Sequence, residues 1–206
     1  MILIRHAATE SNLQRPAVLQ GRHADHPLAE MGERQARSLA AALSSRSIAA
    51  VFSSPLRRAV QTAAPIAEHR RLNVETSDAL TEVDVGAWEG MTWPDVAQSW
   101  PEEYRAFLAD PEQHGYLGGE NLDQVRRRCV PALENLAAKA RGATLVVVGH
   151  NTVNRVVLAH WLDLPLTYAR RLPQANAAYN EIVFSNGSVH VRTINRLDHL
   201  AEILSE

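Results

Sequence analysis

The first twelve residues, Met1-Ile2-Leu3-Ile4-Arg5-His6-Ala7-Ala8-Thr9-Glu10-Ser11-Asn12, pass in one step from an apolar run to an arginine and a histidine. A guanidinium offers a planar fork of donors that fits a phosphate, and a neutral imidazole offers a nucleophilic lone pair. Two later apolar runs end in the same manner. Residues 48–52 lead into Ser53-Ser54-Pro55-Leu56-Arg57-Arg58, and residues 143–148 into Gly149-His150-Asn151-Thr152. An irregular stretch, residues 80–93, adds carboxylates at Glu82 and Asp84. Guanidiniums, two imidazoles and a carboxylate are together the groups needed to move a phosphoryl unit through a covalent intermediate.

The elements around these residues are those that could bring them together. Residues 1–4 are apolar and partly β-branched, as a buried strand requires. After the irregular, polar residues 11–26, a helical pattern starts at Leu28 and repeats through Ala36, Leu39, Ala40 and Leu43. Strands are expected at 48–52, at 72–76 and at 143–148, the last being the most apolar and therefore central. A helix follows Ser53-Ser54-Pro55, with Pro65 expected to kink or end it. The longest helical pattern runs from Leu122 to Ala140, with Pro131 expected to bend it, and another helix runs from Asn151 to Trp161. Residues 179–184 and 189–194 flank Asn186-Gly187, a strong hairpin signal.

Strands alternating with helices give a three-layer α/β/α fold, with a largely parallel central sheet and an antiparallel C-terminal hairpin. Residues 1–206 read as one domain. Residues 88–119, rich in tryptophan and tyrosine, read as a small helical cap over the crevice, with surface helices packing aromatics onto the core as the alternative. Ligands of open α/β sheets bind beyond the carboxyl ends of the strands, where Arg5, His6, the 57–58 pair and His150 would all stand.

Composition excludes several classes. The chain is 46% hydrophobic and 21% charged, ordinary for a globular protein, and its net charge of -2 gives no electrostatic case for nucleic acid or membrane as a partner. No apolar run has the length of a membrane span or a signal peptide, so a cytoplasmic location is expected. Cys129 is the only cysteine and sits on an apolar helix face, which excludes an intrachain disulfide and reads as core. His23, Asp25 and His26 share a loop but lack metal-ligand spacing, and no metal site is expected.

At this point the motifs resemble those of the histidine phosphatase superfamily, the phosphoglycerate-mutase-like proteins, along nearly the whole chain. Arg5-His6-x-x-Thr9 with Asn12 is similar to the family's opening motif, and Ser53-Ser54-Pro55-Leu56-Arg57-Arg58-Ala59 to its second, which selects Arg58 over Arg57. Leu80-x-Glu82-x-x-x-Gly86-x-Trp88-Glu89-Gly90 is similar to the acid-bearing motif, and Gly149-His150 to the second histidine motif. The resemblance implies His6 as nucleophile, Glu82 rather than Asp84 as general acid and base, and Arg5, Arg58 and His150 as the phosphate cradle. It also implies Asn12, Gln20, Gly21 and Asn151 as substrate contacts, with the start of the helix at Asn151 offering backbone N–H groups to the anion. Arg22 reads either as a further attraction for an anion or as plain surface.

Ala7 stands where the family usually has Gly. Ala8 stands where it often has Glu or Gln, which removes a side chain expected to line the pocket. Val83 and Val85 occupy places where mutases of the family carry Arg and Tyr. The implied activity is therefore a metal-independent, cofactor-free phosphatase acting on a small phosphomonoester, as a monomer or homodimer. A phosphomutase or a non-catalytic phospho-ligand-binding protein is the alternative.

Overall fold

The computed structural model describes residues 1–140, 142–185 and 187–204. In chain order the elements are β1 (Ile2–Arg5), α1 (Glu10–Leu13), α2 (Glu30–Ala42), β2 (Ala50–Ser53), α3 (Arg57–Glu68), β3 (Val74–Thr76), α4 (Trp93–Ser99) and α5 (Pro101–Ala109). There follow α6 (Leu122–Lys139), β4 (Leu145–Gly149), α7 (Asn151–Trp161), β5 (Tyr179–Ser185), β6 (Ser188–Arg196) and α8 (Ala201–Leu204). One six-stranded sheet has the order β3-β2-β4-β1-β5-β6. The first four positions run parallel, and β5 and β6 are antiparallel to their neighbours.

Alternation along the strands builds the layers. Ile2 and Ile4 of β1, with Val146 and Val148 of β4, pack on Leu39, Leu43, Ala59, Ala63 and Ile66 of the α2–α3 layer. Leu3 and Val147 point the other way, toward Val125, Cys129 and Leu133 of α6 and Val153, Val156 and Val157 of α7. This is the expected α/β/α arrangement, with β4 buried along its whole length between β2 and β1. No helix among the described residues is long and apolar enough to cross a membrane.

Several boundaries differ from the sequence reading. The second helix starts at Glu30 rather than Leu28, placing Glu30 and Glu33 in its first turn, where acids complement the helix dipole. Residues 11–26 are not wholly irregular, because α1 occupies their beginning. The third strand is shortened to Val74–Thr76 because the N–H of Leu72 still bonds the Ala67 carbonyl at the end of α3. Pro65 does not end its helix, which runs one further turn to Glu68, and α6 runs unbroken past Pro131. Asn186 lies outside the described residues; the two strands that flank it pair antiparallel at the sheet edge.

Residues 88–119 carry α4, α5 and a ring cluster. Trp88, Trp93, Phe107 and Tyr116 sit with centroids 4.7 to 6.4 Å apart, and Trp88 and Phe107 are fully buried within the same core that holds α6 and α7.

Candidate active site

Parallel register puts the chemistry in one place. Arg5 lies opposite Gly149 and Ser53 opposite Val148, so the carboxyl ends of β1, β4 and β2 are level. The chain then continues past each end. The N–H of His6 donates to Gly149 O at 3.0 Å, and the rings of His6 and His150 meet edge to face with centroids 5.2 Å apart. Arg58, one residue into α3, is wholly buried, whereas Arg57 is exposed.

The backbone after His6 is held tightly. Ala7 N–H donates to Thr62 Oγ1 at 2.9 Å, Ala8 N–H to Gln35 Oε1 at 2.9 Å, and Ala8 O accepts from Ala29 N–H. Ala8 is buried, and its methyl does not reach the wall of the cavity over His6. Gly32 packs directly on this backbone, where an added Cβ would lie 2.0 Å from the Ala8 carbonyl oxygen.

His6 Nδ1 lies 2.7 Å from Ala7 O, an acceptor only, so Nδ1 carries the proton and Nε2 keeps its lone pair. Burial lowers the His6 imidazole well below its ordinary value, and the Arg58 and Arg5 guanidiniums lower it further. His150 is lowered likewise, by burial first and then by Arg58, His6 and Arg5. Burial brings Arg5 down to about 10, which still leaves it a cation at neutral pH.

These shifts carry a stability consequence. Both imidazoles are neutral in the fold but titrate near about 6.5 in the unfolded chain. The unfolded chain therefore binds protons first as pH falls, so their contribution is complete above about pH 6.5 and is lost below it. Thermal melts should show Tm falling as pH drops below about 6.5. A His6→Gln, His150→Gln double variant should show a shallower fall, and an unchanged slope would contradict the buried neutral pair.

A cavity of about 160 Å³ opens over His6, lined by Arg5, Asn12, Gln20, Glu82 and Asn151 among others. Arg58 and His150 are wholly buried, and the His150 ring stands edge to face against His6. Asn12 is oriented by accepting from Thr9 N–H and from Asn176 Nδ2, each at 3.1 Å, and Gln20 Oε1 accepts from Thr9 Oγ1 at 3.0 Å. Five buried nitrogens of this group have no protein partner: Arg5 Nε, Arg58 Nε, Gln20 Nε2 and both ring nitrogens of His150. Unpaired buried polar atoms are uncommon and call for an explanation.

Gly21 is placed differently from the sequence reading, which made it a substrate contact. It lies off the cavity, with its N–H on Glu89 Oε1 at 2.7 Å and its carbonyl accepting from Arg58 Nη2 at 2.9 Å. A side chain has no room there, since a Cβ would lie 2.7 Å from Val85 Cγ2 and 2.8 Å from Val83 O. Arg58 also donates to Ala24 O, so it ties down the loop as well as facing His6. Arg22 approaches Glu120 at 3.9 Å. His23 meets Asp84 at 3.4 Å, His26 meets Ser11 at 3.0 Å, and Asp25 accepts from Arg57 N–H, so the three loop side chains turn to separate partners. Cys129 is buried, its thiol pushed up to about 12 by burial.

The acid differs in its use of the helix start. Thr152 N–H donates to Glu82 Oε2 at 3.2 Å and Val153 N–H to Oε1 at 3.3 Å, so the second and third amides of α7 hold this carboxylate. Val83 N–H adds a third bond to Oε1 at 2.9 Å. Asp84 is off the cavity, accepting from Gly86 N–H at 2.9 Å.

Sequence reasoning missed the residue behind this acid. Arg126 and Arg127 both pair with Asp123, at 2.5 and 2.7 Å, while Arg128 turns inward. Its fork binds Glu120 at 2.7 and 3.0 Å and donates to the carbonyls of Ala79, Thr81 and Glu82 at 2.9, 2.7 and 3.2 Å. Arg128→Met should misplace Glu82 and lower kcat on an alkyl phosphate by about 10²-fold, with a smaller loss on an aryl phosphate whose leaving group needs no acid. Equal losses on both would contradict that role. Asn176 and Gln174 were missed too: Asn176 Nδ2 donates to His6 O at 3.1 Å, and Gln174 O accepts from Arg5 Nη1 at 2.6 Å.

Comparison with known proteins gives this geometry its context. Phosphoserine phosphatase 1 of Hydrogenobacter thermophilus is 32% identical over 206 residues, covering 100% of this chain and 96% of the relative. A bifunctional protein of Mycobacterium tuberculosis is 36% identical over 97% of the chain, which spans 54% of that protein's length. Relatives carrying phosphoglycerate mutase names also match. The solved structure of Bacillus stearothermophilus YhfR superposes with a TM-score of 0.88 at 28% identity, over 97% of this chain and 98% of the other. The family model for the histidine phosphatase superfamily (branch 1) matches residues 1–197. With agreement of that extent in sequence and in structure, the chain belongs to the histidine phosphatase superfamily, branch 1.

Proposed function

We propose that the protein hydrolyses a small phosphomonoester through a phosphohistidine on His6. The observation that carries this reading is the group of unpartnered buried nitrogens around a neutral imidazole whose Nε2 lone pair is free. A phosphoryl group seated there offers oxygens to Arg5, Arg58, His150 and Gln20, with Asn12 as a further neutral donor.

His6 Nε2 attacks phosphorus in line, the bond from phosphorus to the leaving oxygen breaks, and that oxygen takes a proton from Glu82. Water then gives a proton to the Glu82 carboxylate while its oxygen attacks phosphorus, the P–N bond breaks, and His6 is released neutral. Glu82 is fit for both steps because backbone N–H bonds fix it at the cavity wall beside His6. Val83 and Val85, where the family's mutases carry Arg and Tyr, line the cavity with apolar surface and favour water over a charged phosphoryl acceptor. The helices α4 and α5 are the cap of this catalytic unit.

The test is phosphate release from an aryl phosphate in excess chelator. Turnover that is unaffected by chelator, with phosphate passed to water rather than to added 3-phosphoglycerate, is the expected result. Loss of activity with chelator overturns metal independence, and transfer to the acceptor makes the protein a mutase.

A further inference from the structure

Beyond the phosphate pocket lies a second, larger space of about 520 Å³, within the range of small-molecule sites. The two spaces share Leu19, Trp93, Tyr116, Asn151 and Thr152 on their walls, so a leaving group attached at phosphorus would extend from one into the other. Rings form much of the larger wall. Trp93 and Phe107 lie nearly parallel with centroids 5.7 Å apart, and Tyr104 and Tyr116 extend the same surface. Among the described residues, the only charged ones on this wall are Arg155 and Arg170.

We propose that Arg155 and Arg170 form a second anion subsite, and that the substrate is a phosphomonoester whose leaving group carries a flat or apolar body ending in a carboxylate or second phosphate. The proposal rests on the phosphatase reading above and adds the leaving-group class. Arg155 is aimed by one bond, Nε to Leu172 O at 2.8 Å, which leaves its terminal nitrogens uncommitted to a carboxylate. Arg170 stands 5.6 Å above the Phe107 ring, presented by the aromatic wall itself. Neither forms an ion pair with a carboxylate among the described residues. Glu82 exerts an electrostatic pull on Arg155, but its oxygens are engaged at the start of α7. Tyr116 is the other titratable neighbour, and burial pushes its hydroxyl up to about 12, so it brings no charge. Burial and the nearby charge of Arg170 both lower Arg155, the condition of two cations that an incoming anion would relieve. Three-carbon phosphate acids would fill little of this volume.

The experiment compares kcat/KM and calorimetric affinity for phenyl phosphate and for aryl phosphates of increasing length. Each length is made in three forms, ending in a carboxylate, in a phosphonate or in a neutral amide. At one length or more an anionic form should exceed the amide by about tenfold or more. Which anionic form leads identifies carboxylate or phosphate as the terminal group. Arg170→Met and Arg155→Met should each reduce the ratio of anion to amide several-fold, and Arg155→Lys should keep part of it. Anion and amide within about twofold at every length, or a ratio unmoved in both Met variants, overturns the subsite. If phenyl phosphate is not turned over, the phosphatase reading fails by itself, and the affinity ratios still decide the subsite.

Discussion

His6→Ala should lower kcat by roughly 10⁴-fold or more on every phosphomonoester, activated or not. The size follows from the imidazole's role as the nucleophile: Nδ1 is committed to the Ala7 carbonyl, which leaves the Nε2 lone pair to attack. His150 does not substitute for it, because its ring is wholly buried edge to face against His6. The variant should also fold. The lost side chain makes a single hydrogen bond, and its removal relieves an imidazole buried beside two guanidiniums. A variant with intact Tm and no turnover is the expected combination. Full activity would remove His6 from the mechanism.

Glu82→Gln should have the second largest effect, and one that depends on the leaving group. Removing a positioned acid and base costs about 10²- to 10⁴-fold. With its oxygen at the Oε1 position the amide keeps the N–H bonds from Val83 and Val153 and gives up only the one from Thr152, so most of the anchoring stays while the proton is lost. On an alkyl phosphate the first step slows, because the alkoxide must leave unprotonated. On an aryl phosphate the first step survives and hydrolysis of the phosphohistidine becomes the slow one. Asp84→Asn should cost far less, since Asp84 faces Gly86 and His23 away from the cavity. Steady-state rates on paired alkyl and aryl phosphates check both, and equal effects of the two substitutions would reject Glu82.

Much of this site was legible because its residues stand where apolar strands stop. The switch from Ile4 to Arg5 and from Val148 to Gly149-His150 is a change in residue type that any reading detects, and a parallel sheet then aligns those ends. What could not be read was what holds them. Arg128 is one of three consecutive arginines, and only the helix register sets it against the acid loop while its neighbours meet Asp123. Gly21 is constrained by lack of room against Val83 and Val85, a property of packing that no sequence pattern carries. Arg155 shares a helix face with Asn151 at a spacing of four, a signal that was present in the sequence. Arg170 lies in a short 3-10 segment whose placement no periodicity foretells.

The most direct test of covalent catalysis is to trap the intermediate in the Glu82→Gln enzyme. An aryl phosphate should load the protein rapidly, and slow hydrolysis should let the adduct accumulate. Mixing for a short time, quenching in alkaline denaturant and locating the phosphoryl group by peptide mass spectrometry should place it on His6, in about one equivalent matching the burst of phenol. A burst with no adduct, or an adduct on another residue, would contradict the account.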